Sequence, residues 1–420
     1  MRFSLLILGV FCVACLGAQT DFLYADNTYL DNLRTVRFHL RGVETALPMV
    51  DLGSNGALTL EFDDLDADIK NYVYTLIHCD ADWQPSQMSE LEYMAGFTED
   101  IIREQTSSSS TLIPFTHYEV SLPNENIRWS KSGNYLLVVY ENEDSRRVAI
   151  TRRMMVVESA VVFRPQIQRP VAIEKMRTHQ ELDFVINHKG FKINNPKVEI
   201  KACILQNNRW DNARMLIKPT YFRTEELIFD YQDSLTFEAG IEYRWADLRS
   251  TQFVSRRVRE IYREDDEWYL ALYTDKDRYD QSYAFTKDLN GQYIIQNAHA
   301  PDPLLDADYI HAIFSLDSPE KVTGVDVYLF GAFSEWQCKP AFKMTYDDEN
   351  KRYICDALLK QGFYDYMYKV VPQRGFTTDK TFEYNWHETE NEYLILLYYR
   401  PFGGNYDRLI GAHSLASFKQ

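Results

Sequence analysis

The sequence predicts an all-β protein: three immunoglobulin-like or early-set β-sandwich domains in tandem. Short apolar runs with period-two alternation recur along the chain, the mark of strands with one buried face. Turn residues separate these runs at the spacing of sandwich strands. Aromatic residues make up 14% of the chain, with 29 Tyr and 24 Phe, and such side chains suit a pleated surface. A length of 420 residues leaves room for two to four domains, and a 45% hydrophobic content supplies their cores.

The opening stretch, MRFSLLILGVFCVACLGAQT, reads as a secretory signal over residues 1–18. Arg2 gives the positive start, Phe3 to Leu16 the apolar stretch, and Ala18 a small residue for cleavage. A rival reading takes Cys12 to Cys15 as a loose lipoprotein box with Cys15 acylated. No later segment reaches the roughly 18 apolar residues that a membrane helix needs, so no direct membrane span is expected.

An N-terminal sandwich is expected over 19–158. Leu58, Leu60 and Phe62 share one face of ALTLEFDDL, and NYVYTLIHC (71–79) follows. Residues Ser132–Glu158 read as two strands around a polar turn, the closing hairpin of a sandwich. SELEYMAGFTEDIIREQ (89–105) is the one helix candidate. Two prolines in SAVVFRPQIQRP mark a boundary, and a middle sandwich is expected over 159–305. NAHAPDPLLDADY marks a second boundary, and YIHAIFSLD, GVDVYLFGAF, FYDYMYKVV and EYLILLYYR then predict a C-terminal sandwich over 306–420.

The formal charge of −17 disfavours phosphate backbones and anionic lipid surfaces, so no nucleic-acid partner is expected. No P-loop, dinucleotide fingerprint, H-E-x-x-H or G-x-S-x-G occurs, and nine His are scattered singly. Adjacent acids such as Asp63-Asp64, Asp265-Asp266 and Asp347-Asp348 invite a glycosidase reading. With 62 acidic residues, such pairs arise by chance and serve turns. No enzyme activity, catalytic residue, cofactor or metal site is therefore expected.

HCDADW (78–83) is the densest run of chemically competent residues. On a strand ending at Cys79, His78 and Cys79 point to opposite faces, which excludes a direct Cys–His pair. Asp80 and Asp82 then bond loop amides, and Trp83 closes the sandwich end. Removing the signal leaves Cys79, Cys203, Cys338 and Cys355. Cys338 and Cys355, close in sequence, are a candidate disulfide in an oxidising compartment.

In the C-terminal unit Gly331, Phe333 and Trp336, followed by Gly362, Tyr364, Tyr366 and Tyr368, resemble the early-set sandwiches appended to glycogen-metabolising enzymes. That resemblance makes Trp336 a candidate for stacking on sugar and an exported glycan-binding protein the alternative function; core packing is the competing role of Trp336.

YTLIHCDADWQPS, EYMAGF, FTHYEVSLPN, SGNYLLVVY and TRRMMV, with YIHAIFSL, VYLFGAFSEW and the ending HETENEYLILLYYRPFGGNYDRLIG, resemble the plug proteins of the type IX secretion system. The likeness runs in order from about residue 20 to the C-terminus. It implies a non-enzymatic periplasmic subunit, associated with the outer membrane through a protein partner. That partner is the outer-membrane type IX translocon barrel, whose periplasmic opening the plug closes. It implies no cofactor and carries no chemically active residues onto this chain.

Overall fold

A computed structural model describes residues 22–142, 146–279, 281–378 and 380–418. The expected signal peptide, with Cys15, lies outside the described residues. The protein is built almost entirely of antiparallel strands that stack as sandwiches, as the alternation predicts.

In the first sandwich one sheet runs in the order Leu33–Leu40, Leu58–Asp64, Thr116–Leu122, Glu104–Ser107. The facing sheet centres on Gly133–Glu141, flanked by Tyr72–Cys79 and Arg147–Val157. Leu58, Leu60 and Phe62 meet Tyr72, Tyr74, Leu76, Leu137 and Val139 in the core between them. Each such fully buried side chain contributes about 1.5–3 kcal/mol of burial free energy. Residues 89–105 form one helical turn, Glu90–Tyr93, followed by the strands Met94–Gly96, Glu99–Ile101 and Glu104–Ser107. The expected helix fails because its apolar residues never make a 3.6-residue stripe, whereas sheet edges can pair these short runs.

The second sandwich opposes the sheet Val162–Gln168, His179–Asn187, Glu226–Phe229 to a sheet ordered Arg209–Ile217, Ile200–Gln206, Glu392–Tyr399, Arg408–Ala416. Phe184, Ile186, Ile204, Phe229, Ile395 and Leu397 fill its core. In the third, Arg244–Asp247, Tyr293–Ile295 and Val325–Phe330 all pair with Gly362–Pro372. The opposing sheet runs Val258–Glu264, Glu267–Leu272, Tyr309–Asp317, Arg352–Lys360, Thr345–Asp347.

These pairings correct the expected division at 305/306. Strands between 244 and 295 belong with the third sheet pair, and the EYLILLYYR strand returns to the second sandwich beside Ile200–Gln206. The third sandwich is thus an insertion between two parts of the second. The physical reason is long-range pairing, which the linear order of strands does not encode.

Several strands among the described residues are buried on both faces, Leu58–Asp64 among them. Gly133 through Val139 and Tyr393 through Tyr399 contain no exposed residue, so each sheet packs a core on one side and a second sheet on the other. The outer face of one first-sandwich sheet lies on the outer face of a second-sandwich sheet. Leu136, Val138, Met155 and Val157 meet Cys203, Leu205, Leu396 and Leu409 there. This apolar seam resembles a domain core more than a surface contact, which ties the two sandwiches together.

Candidate functional site

HCDADW sits at the end of that seam. The strand Tyr72–Cys79 pairs with Gly133–Glu141, placing His78 opposite Tyr135 and Cys79 opposite Asn134. His78 faces the first core among Tyr135, Tyr406 and Tyr93, with ring centroids 4.8, 5.4 and 5.6 Å away. Its Nε2 lies 3.1 Å from the Ser132 carbonyl, and burial pushes its pKa down to about 4. The ring leaves no room behind it: a Cβ on Gly133, at φ +135°, would lie 2.5 Å from Nε2. Cys79 points the other way, into the apolar seam, where burial pushes its thiol up to about 12. A neutral imidazole and a protonated thiol on opposite faces make no nucleophilic pair.

The two aspartates divide their work. Asp82 Oδ1 accepts the Gln84 amide at 3.2 Å, a bond within its own loop. Asp80, expected to bond a loop amide, reaches the second sandwich instead. Its Oδ1 accepts the Asp407 amide at 3.0 Å and pairs with Arg400. Asp407 answers by accepting the Ala81 amide at 3.0 Å, and it also holds Lys201 at 3.0 Å and Arg400 at 2.9 Å. Trp83, in a left-handed turn at φ +63°, packs edge-on against Trp210 at 5.0 Å with the Arg153 guanidinium over its ring. The stretch is therefore a latch between two sandwiches.

The first and third sandwiches meet through buried charge. Asp63 and Lys360, each 1% exposed, pair at 2.6 Å. Tyr309 donates its hydroxyl to Asp63 at 2.7 Å, and His117 Nδ1 lies 2.7 Å from the other oxygen. Burial works to raise the Asp63 carboxyl, but Lys360 and His117 outweigh it and hold it below the ordinary range. Lys360 also sits 4.0 Å over the Phe115 ring. Farther along, Arg152 pairs with Glu335, which also accepts the Thr28 amide at 3.2 Å.

Trp336 lies at the junction of the second and third sandwiches. Arg209 stacks on its ring at 4.6 Å, Phe330 and Tyr243 flank it at 5.5 and 6.0 Å, and its Cη2 crowds Gly291. Cys338 and Cys355 are free thiols, the first half-buried and the second buried. Between these sandwiches runs a polar cleft of about 930 Å³. Its cations are already engaged: Arg209 with Asp211, Arg278 with Glu383, Arg214 with the Thr236 carbonyl.

Of the acid pairs, Asp63 and Asp64 face opposite sides of one strand, Asp64 accepting from Tyr72 at 2.9 Å. Asp265 and Asp266 both take positive φ in a turn, and Asp347 accepts the amides of Glu349 and Asn350. Among the described residues no three His, Cys, Asp or Glu side chains group as metal ligands. Sequence reasoning missed the hubs Asp63, Glu335 and Asp407, whose partners in the other sandwich lie between 183 and 327 residues away. Thr59, Glu61 and Asp63, alternating with apolar residues on Leu58–Asp64, read as a solvent-facing side, so nothing local marked that face as buried.

Comparison with known proteins follows the same lines. The model of the type 9 secretion system plug protein 1st domain matches residues 33–158, which span the first sandwich from Leu33–Leu40 to Arg147–Val157. The crystal structure of a hypothetical protein from Parabacteroides merdae ATCC 43184 is 31% identical, with a TM-score of 0.88, covering 93% of this chain and 99% of that one. A collagen adhesin from S. aureus aligns over 91% of this chain and 94% of its own at 8% identity, and its TM-score of 0.10 carries no argument. No curated protein matches. Residues 33–158, the first sandwich, thus belong to the type 9 secretion system plug protein family.

Proposed function

We propose that this protein is a non-enzymatic plug subunit that binds the outer-membrane type IX translocon barrel and closes its periplasmic opening. The observation that carries the reading is the joining of the sandwiches. A body that must seal a wide pore has to resist deformation, and hinged domains would leak. Here the apolar seam, the Asp80–Asp407 latch and the Asp63–Lys360 lock join the sandwiches through buried contacts. Family membership supports a role in type IX secretion, and the signal-like start supports a periplasmic location.

The contact surface is expected among exposed apolar tips. Phe402 is 98% exposed on the turn between the last two strands, and Leu91 is 84% exposed on the helical turn beside it. The two segments are joined by the Gln87 amide donating to the Asn405 carbonyl at 3.3 Å. Affinity purification from detergent-solubilised outer membrane should recover a barrel of very high mass with the native chain. Leu91→Asp combined with Phe402→Asp should lower that recovery at unchanged thermal stability. Recovery of free protein alone from the native strain contradicts the proposal.

A further inference from the structure

A cavity of about 520 Å³ opens where the first and third sandwiches meet, well within the roughly 300–1,000 Å³ of small-molecule sites. Its inner wall is apolar: Val36, Phe333, Phe342, Leu358 and the stacked rings of Tyr293 and Tyr364, 5.2 Å apart. Its polar lining includes three cations, Arg34, Lys339 and Lys360, the last already paired with Asp63.

Arg34 lies opposite Asp63 in the ladder, so both side chains leave the same face of the sheet, toward the third sandwich. Its Nη1 donates to the Leu33 carbonyl at 3.0 Å, and among the described residues no carboxylate lies within ion-pair distance of it. Lys339 pairs with Glu335, but that carboxylate is shared with Arg152. Burial pushes the Lys339 ammonium below its ordinary range, and Arg152 and Arg34 add to this against Glu335. The only other carboxylate on the wall, Asp31, is exposed. The end of the cavity is thus short of negative charge.

The backbone is bent to form this mouth. Thr35 holds φ +49°, rare for a β-branched residue, where the strand register shifts between Arg34 and Arg37. The bulge directs the Thr35 hydroxyl to that of Tyr309, 2.7 Å away, at the cavity edge.

We propose that this cavity binds a single-chain anionic amphiphile, with its hydrocarbon chain against Phe333, Phe342 and Leu358 and its head between Arg34 and Lys339. Gln337 on the wall already donates to the Asp26 carbonyl at 2.8 Å and so is not free to donate to a sugar hydroxyl. A free inorganic anion would leave the apolar walls unused.

Calorimetric titration of the full chain tests this. Dodecanoate stands for a fatty acid and dodecyl phosphate for a lipid headgroup, and the tighter of the two identifies the source. One of them should bind saturably at one per chain, at least tenfold more tightly than dodecan-1-ol or inorganic phosphate. Leu358→Trp should abolish binding by filling the cavity, and Arg34→Ala should weaken it about tenfold with the melting temperature unchanged. Failure of both probes to bind overturns the proposal, as does equal binding of dodecan-1-ol. Binding indifferent to Arg34→Ala also overturns it, and that truncation of a half-buried side chain remains informative if Leu358→Trp fails to fold.

Discussion

Replacing Lys360 with Met keeps the buried stem and removes the ammonium. Asp63, 1% exposed, would retain Tyr309 and His117 but lose its strongest partner at 2.6 Å. The Leu304 carbonyl would lose its donor as well, since Lys360 Nζ also bonds it at 2.6 Å. Removing one member of a buried ion pair costs about 3–5 kcal/mol, most of it from the charge left behind. At roughly 2 °C per kcal/mol for a large domain, the unfolding midpoint should fall by about 6–10 °C. Adding Asp63→Asn removes the stranded charge and should restore more than half of that loss. Tryptophan-fluorescence melting of the single and double variants provides the assay. A single variant within about 1 °C of the parent, or a double variant no better than the single, would refute the reasoning.

Three further outcomes follow from the same contacts. The folded pKa of His78 lies at about 4, below the ordinary value of roughly 6.5, so the unfolded chain binds the extra proton between those limits. Stability from this residue is present above pH 6.5 and is lost as pH falls toward 4, by about 3 kcal/mol, and His78→Gln should remove that part of the slope in denaturant titrations. Asp407→Ala keeps the backbone amide that Asp80 accepts but leaves the Ala81 amide, Lys201 and Arg400 without their shared carboxylate; it should cost about 2–4 kcal/mol and raise hydrogen exchange across residues 78–84 and 394–409. Cys79, Cys203 and Cys355 are buried with thiols pushed up to about 12, so among the four described cysteines a thiol reagent should label only half-buried Cys338 in the folded protein, and rapid labelling of Cys79, Cys203 or Cys355 would contradict the packing.

The sandwiches were legible wherever one face of a strand is polar. Leu58–Asp64 could be read from its alternation of apolar and polar residues, although both of its faces are buried, and the Gly133–Val157 hairpin from two apolar runs around a polar turn. The insertion of the third sandwich was not legible, since pairing between Ile200–Gln206 and Glu392–Tyr399 spans nearly half the chain. One signal was present and unused: YLILLYY has no polar position, the pattern of a strand covered on both faces. The same applies to Leu136–Val139, which lies across the seam from it. HCDADW was legible in part. Alternation separated His78 from Cys79, but nothing local could show that Asp80 is matched to Asp407, 327 residues on. Asp63 was equally hidden, because one of two adjacent acids looks like chance until Lys360 is beside it.

Closure of a pore is measured most directly by conductance. The purified type IX translocon barrel, reconstituted in a planar bilayer without this protein, should show a large open-pore conductance. Adding the chain to the periplasmic side should close the pore in a saturable manner, and the Leu91→Asp, Phe402→Asp variant should close it less well. Unchanged conductance at saturating native protein would contradict the account.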